Sequence, residues 1–188
     1  PGGGARRGED WGTAGEAAEW PMMHRGQRAM SGAGRRRLEA TAVSAEARIT
    51  DGELGLDSEG CERARARVRE AIREDAPIPT CIQLAHAGRK ASSERPWAGG
   101  AQIPPESPHG WRTESASEIP HGEGEVPPHA LTLSDLRRIR EDFVATARRA
   151  MRLGIDAVEV HGAHGYLLHQ FLSPLSNQRT DDYGGSLE

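Results

Sequence analysis

The chain has few cysteines and few aromatic residues, and it contains no long apolar run. Of its 188 residues, two are cysteines and 4% are aromatic. Cys61 and Cys81 stand in no paired motif, which argues against a disulfide framework or a zinc knuckle. No apolar run approaches the roughly 20 residues of a membrane span, and no secretory signal is visible. We therefore expect a cytoplasmic protein without a membrane partner.

An excess of positive charge is missing as well. The formal net charge is −4 with eight neutral histidines, which argues against nucleic acid as a partner. Arg35–Arg37 is a short basic run, but three residues are too few to indicate a phosphate or nucleic-acid patch. Residues 1–18 are mostly Gly, Ala, Arg and Glu without hydrophobic periodicity, so we expect them to be disordered. The remaining length, residues 19–188, suits a single domain.

Helical and strand patterns alternate from residue 19 onward. The third predicted helix has the clearest boundaries, because Thr132 and Asp135 form a capping box and Gly154 can end it. The alternation predicts an α/β fold with parallel strands. Helices are predicted at residues 20–30, 59–75 and 131–153, strands at 38–43, 81–85 and 155–161, and irregular polar segments at 44–58 and 91–130. The apolar stripe of the third helix consists of Leu136, Ile139, Phe143, Ala147, Ala150 and Met151.

Polar side chains are concentrated where the last predicted strand ends. Glu159 and His161 share one face of this strand, because two valines alternate with them. The apolar pattern predicts that the strand is buried. In parallel α/β folds the ligand lies at the carboxyl ends of the strands. His161, His164 and Tyr166 are therefore candidate site residues.

The residues alone leave several interpretations open. The two histidines could be metal ligands, could cap loop carbonyls, or could donate to one ligand oxygen, which we favour because two convergent donors stabilise developing negative charge. Tyr166 is either a packed ring or a proton donor, since a phenol with an ordinary pKa of about 10 stays protonated at neutral pH. Gln83 either faces solvent or pairs its amide with a planar heterocycle.

Two long motifs in this sequence are similar to a known family. The first is Gln83-Leu-Ala-His-Ala-Gly-Arg-Lys90, and the second is His161-Gly-Ala-His-Gly-Tyr-Leu-Leu-His-Gln-Phe-Leu-Ser-Pro-Leu-Ser-Asn177, continued at residues 179–185 by Arg-Thr-Asp-Asp-Tyr-Gly-Gly. Together they resemble the Old Yellow Enzyme family of FMN-dependent NAD(P)H oxidoreductases, above all its bacterial thermophilic-like ene-reductases. Weaker similarity extends the resemblance over residues 19–188.

The resemblance implies a fold, a cofactor and a reaction. The family fold is a (β/α)8 TIM barrel with FMN at the carboxyl ends of the strands. By position, Ala40 and Gln83 resemble flavin contacts. His161 and His164 resemble the pair that binds a carbonyl or nitro oxygen of the substrate, and Tyr166 resembles the proton donor. The implied reaction is ping-pong reduction of the activated C=C bond of an enone or nitroalkene, with NAD(P)H as the reductant.

The sequence also departs from the family pattern. A barrel of this kind takes about 250 residues, whereas the strands predicted here match roughly strands two to four. We therefore expect a partial barrel, the amino-terminal half of an oxidoreductase truncated at its carboxyl end. As a fragment or degraded copy, it would pair with the missing half or form a homo-oligomer. Arg35–Arg37 stand where the family has apolar residues, and burying them would be costly. A non-catalytic association module and a metal-binding protein remain as alternatives.

Overall fold

The computed structural model describes residues 12–73 and 76–185. All three predicted helices and all three predicted strands are present. The elements are α1 (Glu19–Ala29), β1 (Arg36–Ala42), α2 (Glu59–Arg73), β2 (Thr80–Ala85), β3 (Glu114–Ser115), β4 (His129–Ala130), α3 (Leu133–Arg152), β5 (Ala157–Val160) and α4 (Leu167–Leu172). Strands β1, β2 and β5 form a parallel sheet in that order, and β3 and β4 form a separate parallel pair.

The first strand begins within the arginine run. Arg36 pairs with Thr80 and Arg37 pairs with Cys81, so β1 starts two residues before Leu38, where the apolar pattern had placed its beginning. The side chain of Arg36 donates from Nε to Thr80 Oγ1 over 2.9 Å. Arg37 is exposed, since its side chain lies outside the apolar core. The strand therefore accommodates both arginines at its amino end, where polar groups and solvent are within reach.

The main core lies between the sheet and α3. It consists of Leu38, Ala42, Val43, Ala47, Leu56, Ile82, Leu84 and Ala150, with Phe143, Ala147, Leu153 and Ile155 packed around it. Burying a leucine or isoleucine side chain contributes about 1.5–3 kcal/mol each. Met151 was predicted in the apolar stripe of α3, but it is 72% exposed. Ala150 already faces the sheet, and the next residue of a helix points about 100° away.

The loop after β1 is more buried than its composition indicates. Leu54 and Leu56 are fully buried although residues 44–58 were predicted as a polar loop. The loop folds back on the end of β1, since Ala42 donates its N–H to Leu54 O and accepts at its own carbonyl from Leu56 N. Residues 12–18 were expected to be disordered, yet they lie against this loop through hydrogen bonds such as Gly55 N to Gly15 O at 2.9 Å. Residues 1–11, the rest of that expectation, lie outside the described residues.

Strand β5 is at the edge of the sheet and is not buried as predicted. Val158 and Val160 are 40% and 54% exposed, because β5 pairs with β2 alone among the described strands. Phe143 of α3 and Phe171 of α4 border an apolar groove of about 570 Å³ beside this edge. The periodicity correctly predicted a strand, but the number of its neighbours is a tertiary property. No helix among the described residues is long and apolar enough to cross a membrane.

Candidate active site

A tight turn follows β5 and brings the candidate side chains together. His161 extends the ladder by donating its N–H to Leu84 O over 2.9 Å. His164 and Gly165 then take left-handed conformations with φ of 57° and 75°. Such a φ is uncommon for a residue with a Cβ, and strained residues of this kind cluster at functional sites. Tyr166 closes the turn through its N–H to Ala163 O, and α4 begins at the next residue.

The rings of His161, His164 and Tyr166 form one cluster. The centroid of the His161 ring lies 5.2 Å from that of His164 and 4.9 Å from that of Tyr166, and both pairs meet edge to face. His161 and Tyr166 are buried, whereas His164 is exposed. The edge-to-face geometry is the favoured one for such rings. The three residues that the sequence suggested as a site are therefore neighbours in space.

Hydrogen bonding determines the tautomer of His161. The backbone N–H of Ala163 donates to His161 Nδ1 over 3.2 Å. A ring nitrogen that accepts a hydrogen bond carries no proton, so the neutral imidazole carries its proton on Nε2. His161 can therefore donate from Nε2 to an oxygen of a ligand.

Lys90 is a member of the cluster that sequence reasoning did not assign. Its Nζ donates to His164 O over 3.1 Å and lies 5.0 Å from the ring centroid of Tyr166. At that distance the ammonium is attracted to the face of the ring. The available signal was its place at the end of the motif 83–90, which begins within the neighbouring strand β2. Lys90 supplies positive charge beside Tyr166.

A row of register neighbours crosses the sheet below the cluster, with Ala40 on β1, Gln83 on β2 and Glu159 on β5. We call it the polar row after Gln83 and Glu159. Gln83 Nε2 donates to Glu159 Oε1, and Arg37 Nη1 lies 3.1 and 3.0 Å from the two oxygens of that carboxylate. These hydrogen bonds, first that from Gln83 and then that from Arg37, hold the pKa of Glu159 below its usual value although burial acts to raise it. Glu159 thus orients the amide of Gln83 so that Oε1 points away from the carboxylate.

The buried carboxamide of Gln170 ties the two motifs to each other. Its Nε2 donates to Gly165 O over 2.7 Å and to Ala87 O over 3.2 Å. Its Oε1 accepts from Ser115 Oγ over 2.9 Å. Because every hydrogen bond of a buried amide must be satisfied, this side chain restrains both loops at once. Gln170 lies within the second motif and follows Tyr166 by one helical turn, and these were the sequence signals for it.

A second buried contact anchors the loop after β2. His86 Nδ1 accepts from Gly88 N over 3.1 Å, and its carbonyl accepts from Leu167 N at the start of α4. His86 Nε2 lies 3.3 Å from Glu114 Oε2. Burial acts to raise the pKa of Glu114, but its close contact with His86 and the nearby charge of Arg138 hold that pKa below its usual value. The loop with Lys90 is thereby held against the turn with His164.

Metal-ligand geometry is not found in the described parts of the chain. Residues 12–73 and 76–185 contain no group of three or more His, Cys, Asp or Glu side chains that could hold an ion. Both cysteines are free thiols, and burial raises the pKa of Cys61. The two histidines of the cluster have Tyr166 and Lys90 as neighbours, which are not typical zinc ligands.

A parallel sheet with helices on its face and a polar cluster at its strand ends has the arrangement of an α/β-barrel enzyme. Solved structures share this fold. Morphinone reductase in complex with tetrahydroNAD matches 95% of this chain and 49% of its own, with a TM-score of 0.78 and 29% identity. Old Yellow Enzyme from Pichia sp. AKU4542 matches 95% of this chain and 46% of its own, with a TM-score of 0.79 and 26% identity.

Curated relatives agree with the structural neighbours. The NADH:flavin oxidoreductase FG08077 of Gibberella zeae is 42% identical over 177 residues, which are 93% of this chain and 43% of the relative. The NADPH dehydrogenase of Bacillus velezensis is 38% identical over 174 residues, or 93% and 46%. The model of the NADH:flavin oxidoreductase / NADH oxidase family matches residues 7–188, and the chain belongs to this family. The predicted resemblance and the partial barrel are confirmed. The chain spans about half the length of these relatives.

Proposed function

We propose that this chain is the amino-terminal half of an FMN-dependent NAD(P)H oxidoreductase that reduces activated C=C bonds of enones or nitroalkenes. The observation that carries the proposal is the cluster of His161, His164 and Tyr166 at the carboxyl end of β5. It offers hydrogen-bond donors and a phenol beside one another, as polarisation and protonation of such a substrate require. Family membership and the fold of the neighbours support the same class of reaction.

The polar row below the cluster fits the edge of the FMN ring. Ala40 has only a methyl group, which leaves room for a planar ring beside the sheet, and Gln83 lies next to it. Since the amide nitrogen of Gln83 donates to Glu159, its oxygen is the atom suited to accept from an N–H of the heterocycle. FMN, when bound, supplies the two-electron redox chemistry that side chains lack.

The histidines are proposed to bind the oxygen of the substrate. His161 donates from Nε2, the nitrogen that carries the proton when Nδ1 accepts from Ala163. His164 is exposed at the mouth of the cluster, where it can donate to the same oxygen. Two donors directed at an oxygen that gains negative charge stabilise the transition state more than the ground state.

Tyr166 is proposed to give the phenol proton from its hydroxyl oxygen to the substrate carbon. A phenolate then remains, and the ammonium of Lys90 lies 5.0 Å from the ring centroid, where its charge stabilises that anion. The role proposed for Lys90 is to make the proton transfer easier without touching the substrate.

The exposed edge of β5 is proposed to be where the remainder of the barrel docks. Val160, Phe143 and Phe171 line the apolar groove there, and the groove continues the side of the sheet that lacks a further strand among those described. The structural neighbours have about as much chain again that this chain does not match, and strands equivalent to those are proposed to cover the groove. An unpaired strand edge and an apolar groove left open would favour self-association.

A chimera tests the proposed function. Residues 12–188 are inserted between the first strand and the carboxyl-terminal half of the Bacillus velezensis NADPH dehydrogenase, so that all eight strands are present. The purified protein is assayed for bound FMN and for NADPH-dependent reduction of cyclohexenone and a nitroalkene. We expect stoichiometric flavin and turnover of at least one substrate. The 188-residue chain alone should bind FMN no tighter than about micromolar, since the resemblance assigns the flavin phosphate site to strands outside it.

The same measurements separate the alternatives. A chimera that folds but holds no flavin would contradict the oxidoreductase and favour an association module without catalysis. A metal-binding protein would be favoured if the purified chain contains stoichiometric metal and the metal is lost when both His161 and His164 are replaced. A monodisperse monomer of the 188-residue chain with stoichiometric FMN after gel filtration would show that no second half is needed.

A further inference from the structure

Arg37 forms an ion pair that spans the three-stranded sheet. It lies on β1, whereas its partner Glu159 lies on β5, and β2 separates the two strands. Arg37 Nη1 lies 3.1 and 3.0 Å from the two oxygens of the carboxylate, although the residues are 122 positions apart in the chain. The proposed function gives Arg37 no role. This ion pair is the contact through which the arginine can act on the polar row.

The ion pair lies on the same face of the sheet as Gln83. Successive residues of a strand point to opposite faces. Leu38, Ile82 and Leu84 belong to the core between the sheet and α3. Arg37 precedes Leu38, and Gln83 stands between Ile82 and Leu84, so both side chains point away from that core. In a closed barrel with its helices outside, this face of the sheet is the interior.

Closure of the barrel changes the surroundings of the ion pair. The side chains of Arg37 and Glu159 are 61% and 37% exposed in this chain. Once the proposed second half covers the face, the carboxylate of Glu159 loses its contact with water. A carboxylate in such a place takes up a proton unless a counter-charge is present, because burial disfavours the charged form. Arg37 supplies that counter-charge and keeps Glu159 ionised.

The ionisation of Glu159 determines the orientation of the amide of Gln83. An ionised carboxylate only accepts hydrogen bonds, so it takes the one from Gln83 Nε2 and leaves Oε1 as the acceptor for a ligand. A protonated carboxyl group carries an O–H, which can donate to Oε1 and stabilise the reversed amide. The contact with Arg37 therefore favours one of two possible amide orientations.

We propose that Arg37 is a positioning residue for the flavin, and that it acts through Glu159 on the amide of Gln83. The inference rests on the proposed function, which places the ring of FMN beside Gln83. The ring of oxidised FMN carries one N–H, at N3. An amide oxygen directed away from Glu159 can accept from this N–H, whereas a reversed amide would present its own donors to it. Arg37 thus selects the acceptor without contacting the cofactor.

The affinity for FMN measures this role. In the chimera with the Bacillus velezensis NADPH dehydrogenase, FMN is removed, and its Kd is then measured by quenching of flavin fluorescence. We expect Arg37→Met to raise Kd about tenfold, which corresponds to the loss of one hydrogen bond. Arg37→Lys should stay within about threefold of the unsubstituted chimera, because an ammonium still supplies the counter-charge.

Arg67→Met is the matched control. Arg67 lies on α2, its side chain is 63% exposed, and it pairs with Glu19 at 3.6 Å. The substitution therefore removes the same charge from an ion pair of similar exposure that does not contact the polar row. It should leave the Kd for FMN unchanged. If Arg37→Met does not fold, as judged by urea unfolding, Arg37→Gln takes its place with the same expected result.

Two further measurements separate positioning from a general loss of structure. Glu159→Gln combined with Arg37→Met should raise Kd no further than Arg37→Met alone, because both changes act on the same amide. Nitrogen-15 NMR of FMN labelled at N3 and N5 should show that Arg37→Met shifts the N3 resonance and leaves the N5 resonance in place. Multiplicative effects of the two substitutions, or equal shifts of both resonances, would show that Arg37 does not act through Glu159 and Gln83.

The outcomes distinguish this inference from the proposed function. A folded chimera that holds no flavin would contradict the proposed function, and this inference with it. A chimera that binds FMN equally well with and without Arg37→Met would overturn the role of Arg37 alone. An equal loss of affinity in Arg67→Met would do the same, since the effect would then follow from net charge.

Discussion

Buried polar side chains at the two ends of the three-stranded sheet differ in how completely they are hydrogen-bonded. At the carboxyl end, the buried carboxamide of Gln170 donates to Ala87 O and Gly165 O and accepts from Ser115 Oγ, and it holds the loops beside His161. At the amino end, Arg36 and Arg69 are partly buried with donors that have no acceptor among the described residues. The comparison teaches that a buried amide whose hydrogen bonds are made holds the loops of a site in place before a ligand binds, whereas a charged donor without a described acceptor leaves part of its desolvation cost uncompensated.

The largest expected effect concerns the carboxyl end. In the chimera, His161→Ala with His164→Ala should lower kcat/KM on an enone by about 10⁴-fold, since removal of one oxyanion donor costs about 10²–10³. Steady-state kinetics against NADPH and cyclohexenone give the value. The matched control is His109→Ala, because the His109 side chain is 73% exposed and pairs with Asp51 rather than with a member of the cluster, so its loss should leave kcat/KM unchanged. Wild-type activity in the double variant would remove the histidines from the proposed site.

The rigidity of that end can be tested at Gly88. This residue has φ of +62°, and a Cβ there would overlap the carboxamide of Gln170. Gly88→Ala should therefore lower the free energy of unfolding by about 2–4 kcal/mol, from backbone strain and overpacking together. Gly100→Ala is the control, since Gly100 also has a positive φ but no atom within 4 Å of the added Cβ. It should cost only about 1 kcal/mol. Urea unfolding measures both, and equal costs would mean that Gln170 moves aside freely.

At the amino end, a substitution is expected to raise the free energy of unfolding rather than to lower it. Arg36→Met should raise the free energy of unfolding by about 1 kcal/mol, because it removes a partly buried charge with a donor that has no acceptor among the described residues. Arg37→Met should leave stability unchanged or lower it by about 0.5 kcal/mol, since Arg37 is exposed and paired with Glu159. If both substitutions destabilise the chain to the same degree, the amino end is not electrostatically strained and the contrast between the two ends disappears.

The smallest effect concerns the start of α3. Hydrogen bonds from the side chain and backbone of Thr132 lower the pKa of Asp135 to about 2, against burial that acts to raise it. An acid with a lowered pKa stabilises the fold fully above its unfolded pKa of about 3.9 and loses this contribution as the pH falls through about 2. Asp135→Asn should cost about 1 kcal/mol at pH 7, and less below about pH 4. Urea unfolding at pH 7 and pH 3 measures the difference. Glu141→Gln, an exposed change on the same helix, should show no such pH dependence.

Structural features that depend on residues close together in the chain could be predicted from the sequence. The capping box of Thr132 and Asp135 is present, and Gly154 ends α3 with a positive φ. The cluster of His161, His164 and Tyr166 could also be expected, because a single turn joins them. These features depend on backbone geometry over a few residues, which the local sequence largely determines.

Features that depend on remote partners could not be predicted in the same way. Lys90 reaches the cluster from the loop after β2, and Gln83 is oriented by Glu159, a residue 76 positions away in the chain. Nothing in the local pattern of either residue indicates which side chain will lie opposite. Only the register of the strands decides that pairing.

The sequence by itself determined the family, the alternation of helices and strands, and the residues of the turn after β5. The tertiary structure decided which apolar residues are buried: Leu54 and Leu56 are enclosed by a folded-back loop, whereas Val160 lies exposed at a sheet edge. It also decided that Arg36 of β1 lines the same cleft as Arg69 and Arg73 of α2, which are distant from it in the chain. The physical reason is that burial and charge compensation depend on all neighbours in space, and distant segments of the chain supply most of them.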